Sequence, residues 1–454
     1  MGGWPRNWHV IVLWEFGSYT TLILRSTMLK SSPSSRQSDL PRLSRREFFG
    51  TTILGGTVGA CASRGSAAPS RLPNAEAAIA ARQALSDNIY TRMLGLKPHL
   101  AAMDHITALG GSRMPAEVMQ AMHEANEQFV DMHELMRAAG ARLAEVLGAD
   151  AALVTSGSFS AMILGAAACL TGNDEAKIDA LPHPTWSKRE CLTQTSGRFG
   201  YDRAYRAAGM TMVNVETREQ FADAITSNTA MISGLARLDY ETADQPESMQ
   251  VHELLEFGRR AGVPVIVDAA SELPPTTTLT RWVDAGADLV VISGGKGIRG
   301  PQSTGILAGR RDLIEAATLH AAPNANLGRG MKVGKEEIMG FLVALDRYVK
   351  LDHDRVYAAW RRKAEYIANE LQGIPGLVAD VPQDDRGRPR VDLTWDGNSV
   401  SLSSAEVREG LKNGDPRIAM TGQAIQTRCM NDGEEILVAQ RVQQFFRDEA
   451  QRLS

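Results

Sequence analysis

Cysteine is scarce in this chain: four residues in 454, at positions 61, 169, 191 and 429. No two stand at C-x-x-C spacing, so neither a zinc ribbon nor a thioredoxin-like redox motif is supported. The nine histidines show no H-E-x-x-H or similar spacing, and no structural metal is expected. There is no excess of positive charge either. The formal net charge is −4, which leaves no overall basic field to hold tRNA or DNA, so nucleic acid is not an expected partner. The longest apolar, glycine-rich run near the start, residues 51–62, is too short to span a bilayer as a mature helix. Internal repeats are absent, as is low-complexity sequence beyond one linker. What remains is ordinary globular composition, 43% hydrophobic and 22% charged, long enough for one large domain and a smaller one.

The first part of the chain reads as processing sequence rather than fold. Residues 44–50 are S-R-R-E-F-F-G and the weakly apolar run follows, the layout of a twin-arginine export signal carried by Arg45 and Arg46. Residues around Ala67–Ala68 offer a cleavage site, while Val58-Gly59-Ala60-Cys61 resembles a lipoprotein box. The expected location is therefore periplasmic, with a cytoplasmic protein bearing a basic tail as the alternative. Met28 looks a more natural start than Met1, so residues 1–27 read as an upstream segment, 28–68 as the signal and 69–90 as a linker running into a helix.

Residues 115–147 place apolar side chains at helical spacing (Val118, Met119, Met122, Phe129, Leu135, Leu143), predicting two helices. A-A-L-V-T, V-P-V-I-V-D, A-D-L-V-V-I-S and T-G-I-L-A-G then read as short buried strands alternating with helices. That alternation predicts an α/β large domain over 91–330 around a mostly parallel sheet. A smaller α+β domain over 331–454 follows, with a strand at V-D-L-T-W and a closing amphipathic helix at 433–447.

Three local patterns carry chemistry. T-S-G-S-F-S, residues 155–160, lies between a strand and an apolar helix, so Ser156, Gly157 and Ser158 could hold a phosphate on free backbone N–H groups. Taken alone it could equally be a plain N-cap. Asp268 closes V-P-V-I-V-D at a strand end, where open α/β sheets place ligands; alone it could be a magnesium ligand or a capping residue. Lys296 follows A-D-L-V-V-I-S within S-G-G-K-G-I-R-G-P-Q-S-T-G, its glycines leaving room for a bulky cofactor, and a lysine in such a pocket can form an imine. Residues 295–300 match G-x-G-x-x-G literally but lead into Pro301-Gln302 and a strand, not a helix. A P-loop fails as well, with Gly297 where Ser or Thr is needed. Phosphate turn, then acid, then lysine is the order used by fold-type-I pyridoxal 5′-phosphate (PLP) enzymes, in which the acid keeps the pyridine nitrogen protonated.

The stretch around Lys296, with V-D-A-A-S-E-L-P-P before it and G-R-G-M-K-V-G-K-E-E-I-M-G after it, resembles the selenocysteine synthase-like family, seryl-tRNA(Sec) selenium transferase. It is closer still to that family's D-glucosaminate-6-phosphate ammonia-lyase branch. L-G-G-S-R-M-P and F-V-D-M-H-E-L extend the resemblance. It implies a fold-type-I PLP enzyme with Lys296 as the Schiff-base lysine, Asp268 as pyridinium partner, Ser156 to Ser158 as phosphate turn and Ser293 as a further cofactor contact. Arg329 and Lys332, and with them Arg113, are the implied grips for substrate carboxylate or phosphate. A small amino acid or amino sugar acid is the implied substrate, losing ammonia or a β-substituent in a homodimer or higher oligomer. The alternatives are a tRNA-dependent selenium transferase and a non-catalytic PLP-binding protein. Gly295 stands where the transferase has Asp, and His99-Leu100-Ala101-Ala102 where the family has an Asn-Ala-x-Gly-like stretch.

Overall fold

The computed structural model describes residues 74–453, apart from 244, 246, 384, 385, 398 and 399, together with a short antiparallel pair, Leu13–Glu15 with Ser18–Thr20. The residues read as an export signal, Cys61 among them, lie outside the described residues. Residues 70–454 form one compact unit and 1–69 another.

Within 70–454, strand β1 is His99–Ala102. The central sheet is built from β2 Ala151–Thr155, β3 Glu190–Gln194, β4 Thr211–Val215, β5 Thr229–Leu235, β6 Val265–Asp268, β7 Leu289–Ser293 and β8 Gly305–Gly309. Its order is β2-β8-β7-β6-β5-β3-β4. Strands β3 to β7 pair in parallel, and β8 runs antiparallel between β2 and β7. Both faces are covered, so β5 to β8 are apolar almost throughout and buried at every position. The V-I-V-D, L-V-V-I-S and G-I-L-A-G runs become strands because β-branched and aliphatic side chains fit a pleated surface buried on both sides.

Helix α1, Ala75–Ser86, stands where the linker was read to run into a helix; Asn74 caps it by accepting from the Glu76 N–H at 2.9 Å. The two helices read in 115–147 are α2, Ala116–Asn126, and α3, Met132–Leu147. Helix α4, Gly157–Thr171, is apolar all round and almost wholly buried against the sheet. Two further helices, Lys335–Lys350 and His353–Glu370, fill the stretch read as helical after residue 330.

Two hydrophobic cores result. One runs from Val118 to Tyr348 around the central sheet. The other joins Ala364 to Phe446 with Ala78, Leu100 and Ala102, because β1 pairs in parallel with Arg417–Met420. The antiparallel strands Leu377–Asp380, Arg390–Trp395 and Ala424–Gln426 belong to this second core. The closing helix, Glu434–Leu453, is longer at its C-terminal end than the pattern over 433–447 indicated.

Candidate active site

Parallel strands end in loops at one edge of the sheet, and the candidate site lies there. Thr155 ends β2, Gln194 β3, Leu235 β5, Asp268 β6 and Ser293 β7. Because β8 is antiparallel, its first residue, Gly305, reaches the same edge opposite Thr155. Loops from these ends line a cavity of about 500 Å³ that contains Ser156, Gly157, Ser158, Asp268, Ser293 and Lys296. Three segments far apart in sequence thus deliver the expected phosphate turn, acid, serine and lysine to one space.

The turn is more than a cap. Ser156 occupies the N-cap of α4, yet its side chain makes no capping hydrogen bond. Its carbonyl accepts from Ser160 Oγ at 2.8 Å, and Gly157 takes a φ of +76° that glycine adopts without strain. The first N–H groups of a fifteen-residue helix, and the Ser156 hydroxyl, are left to the cavity. Gly305 closes the back of this turn: a Cβ there would stand 2.6 Å from the Gly157 carbonyl carbon and 2.8 Å from the Ser158 nitrogen.

Asp268 is 7% exposed. One carboxylate oxygen accepts from the Ala270 N–H at 2.9 Å. Burial pushes its pKa up, against the Ala270 N–H and the charges of Lys296 and Arg237. Such a buried carboxylate fits a cationic N–H partner that would restore its charge.

The glycines around Lys296 serve a purpose other than the one read from the sequence. A Cβ on Gly294 would meet Thr304 Oγ1 at 2.3 Å, on Gly295 the Gln302 Cα at 2.4 Å, and on Gly297 the Leu273 carbonyl oxygen at 2.8 Å. They let the lysine loop fold closely against Thr304, Phe341 and the backbones of Gln302 and Leu273 rather than making way for a cofactor. Arg299 in the same loop has a φ of 63°, and its Nε donates to the Arg113 carbonyl at 2.8 Å.

Three expected substrate grips do not line this cavity. Arg113 is engaged elsewhere: its guanidinium donates to both Glu434 carboxylate oxygens at 2.7 Å and to the Cys429 carbonyl at 2.8 Å. Arg329 and Lys332 are exposed residues of the loop before the Lys335–Lys350 helix. Arg198 pairs with Asp202. Arg237, beyond β5, does line the cavity beside Lys296; its Nε is buried and makes no hydrogen bond among the described residues, but it lies 3.3 Å from Glu241 Oε2. His105, Tyr201 and Glu272 line it too. Glu272 accepts from Tyr240 Oη at 2.9 Å and lies 3.6 Å from Arg386, while Arg388 donates to the carbonyls of Ser271, Glu272 and Pro274. No local motif announces these residues, because each is a single side chain at the end of a different element.

Residues 105–359 match the family model for SelA: L-seryl-tRNA selenium transferase. The chain belongs to this family. Among similar proteins is a 5'-C-glycyluridine monooxygenase-decarboxylase from Streptomyces sp, 35% identical over 76% of this chain and 89% of that protein. A D-glucosaminate-6-phosphate ammonia lyase from Salmonella typhimurium is 28% identical over 79% of this chain and 98% of its own length. An L-seryl-tRNA(Sec) selenium transferase from Carboxydothermus hydrogenoformans is 24% identical over 54% of each chain. The solved structure of D-glucosaminate-6-phosphate ammonia-lyase superposes with a TM-score of 0.67 at 27% identity, covering 80% of this chain and all of that one.

The fold is that of fold-type-I PLP enzymes, and the residues present fit PLP as the cofactor. An uncapped helix start would hold its phosphate, a buried carboxylate would face its ring nitrogen, and Lys296 shares the cavity with both. The SelA-family chain is a PLP-dependent enzyme. No helix among the described residues is long and apolar enough to cross a membrane.

Proposed function

We propose that this enzyme is a lyase that removes ammonia or another β-substituent from a small amino acid or amino sugar acid. The observation that carries this reading is the single cavity that holds the uncapped turn 156–158, buried Asp268 and Lys296, with room beside them for a small substrate. When bound, PLP supplies an electron sink for the pair left when a bond to the substrate's Cα breaks. Ser156 to Ser158 would hold the phosphate, Asp268 would keep a proton at the pyridine nitrogen, and Ser293 would support the ring. Lys296 would carry the cofactor, and its Nζ is the cavity's group for taking the substrate's Cα proton. The β-substituent leaves with its bonding pair, and the released enamine hydrolyses to a 2-oxo acid and ammonia. Arg237, in place of Arg113, Arg329 and Lys332, grips the substrate's carboxylate.

The test offers D-glucosaminate 6-phosphate, serine and related β-hydroxy amino acids to the holoenzyme. Ammonia and 2-oxo acid formed without an amino acceptor support the lyase. Strict need for an amino acceptor, or turnover only with charged tRNA and selenophosphate, overturns it, as does a protein that holds PLP and turns over nothing. A second reading, favoured by the 35% identical relative, is an oxidative decarboxylase; it requires oxygen uptake and carbon dioxide release with these substrates.

The same reading extends to the setting of the enzyme. Arg45 and Arg46 support export through the twin-arginine route, or anchoring at Cys61, and changing both arginines to Lys should stop a fused reporter from leaving the cytoplasm. The apolar side chains of Ile89, Tyr90, Met93, Leu94 and Leu96, each more than half exposed, support a homodimer or higher oligomer, to be read by light scattering.

A further inference from the structure

His105 is a buried titratable group on the cavity wall that none of the steps above employs. It lies just beyond β1, so the second core sets its position. The loop that follows is pinned to the lysine loop: Gln302 Nε2 donates to the Thr107 carbonyl at 3.2 Å, and Arg299 to that of Arg113. The ring is thereby fixed on the wall of the cavity that also holds Lys296.

Its orientation follows from its neighbours. Nδ1 lies 3.4 Å from Asp104 Oδ1, an electrostatic contact that falls short of a hydrogen bond, and is otherwise buried without a partner among the described residues. Asp104 cannot swing away, because Oδ1 accepts from the His105 N–H at 2.7 Å and Oδ2 pairs with Arg428, whose side chain is 2% exposed. Burial alone would raise the Asp104 pKa, but His105 and Arg428 outweigh it and bring the carboxyl down to about 2. An ionised Asp104 favours the tautomer with the proton on Nδ1, which leaves the Nε2 lone pair to the cavity. Burial holds the imidazole neutral, helped by the charges of Arg428 and Arg299 and opposed by Asp104. Glu272, another acceptor on the cavity wall, already faces Tyr240 and Arg386.

We propose that His105, oriented by Asp104, accepts a hydrogen bond from a hydroxyl on the substrate's β-carbon and so selects β-hydroxy-α-amino acids. The proposal rests on the lyase reading for the position of Cα at Lys296, but it concerns binding and needs no turnover.

The experiment compares amino acids that differ only in that hydroxyl, serine against alanine and threonine against 2-aminobutyrate, by spectral titration of the holoenzyme. Cofactor affinity is measured alongside. A neutral hydrogen bond contributes about 1 kcal/mol, so the wild type should favour the hydroxyl member by roughly fivefold to tenfold. His105→Phe should bring the ratio to about one while the PLP Kd moves less than about twofold; His105→Asn, which keeps an acceptor, should restore part of the preference. Asp104→Asn, which frees the ring to turn, should lower the ratio without removing His105. An unchanged ratio in His105→Phe overturns the proposal, and so does a collapse of cofactor affinity with the preference intact. Should the Phe variant not fold, an unchanged ratio in Asp104→Asn overturns it instead. Absence of ammonia release with the preference present would reject the lyase and leave His105 in its role.

Discussion

Replacing Asp268 by Asn should have opposite effects on the empty and the loaded protein. In the empty protein the carboxylate is buried, and its one hydrogen bond, from the Ala270 N–H, can be kept by the Asn amide oxygen. The substitution therefore removes a desolvation cost and no contact, and apo stability should stay level or rise by up to about 1 kcal/mol. The sign of the pH dependence follows. The folded-state pKa lies above the unfolded value near 3.8. Above that pH the unfolded chain has released a proton that the folded protein still holds, so wild-type stability falls as pH rises through the interval between the two values. The advantage of the Asn variant should open from about pH 4 upward and level off above the folded pKa. In the loaded enzyme the charged partnership with the pyridine nitrogen is lost, worth about 1.5–3 kcal/mol, or roughly tenfold to a hundredfold in the Kd for PLP. Thermal unfolding of apo and holo protein across pH 4–8, with a PLP titration, measures both halves. A loss of more than about 1 kcal/mol in the apo variant, or an unchanged PLP Kd, would refute the assignment of Asp268.

Lys296→Ala should fold normally yet lose the borohydride-trapped cofactor label; a variant that kept label and turnover would move the lysine role elsewhere. Gly305→Ala forces a Cβ to within 2.6 Å of the Gly157 backbone, so about 1–3 kcal/mol of overpacking should fall on the turn and weaken PLP binding at least about tenfold, read by fluorescence. Arg113→Ala leaves Glu434 without its bidentate partner and should lower unfolding free energy by about 1–3 kcal/mol in urea titrations with no change in substrate KM; a raised KM would return Arg113 to the substrate site. His320, fully buried against Thr171 at 2.9 Å, has its pKa pushed down by burial to about 4. As pH falls from 6.5 toward 4 the unfolded chain takes up a proton that the folded protein does not, so stability should drop over that range, and His320→Gln should flatten the drop.

The parts of this enzyme legible in the sequence are those whose physics is local. Strands β6 to β8 declare themselves as short apolar runs because both faces of the sheet are covered. The turn 156–158 and Lys296 sit one to three positions beyond a strand and Asp268 is the last residue of one, so strand and residue are read together. What depended on pairings across the chain could not be read. Arg113 looked like a free cation beside a glycine-rich motif, and only the fold brings Glu434 to it. The glycines around Lys296 have the same composition whether they face a cofactor or the Gln302 and Leu273 backbones, and the close approach of those segments decides it. Arg237 and His105 carry no motif at all. Each reaches the cavity from a separate element, one ordered by the central sheet and the other by β1 in the second core, and their chemistry is set by burial and by the neighbours that burial imposes.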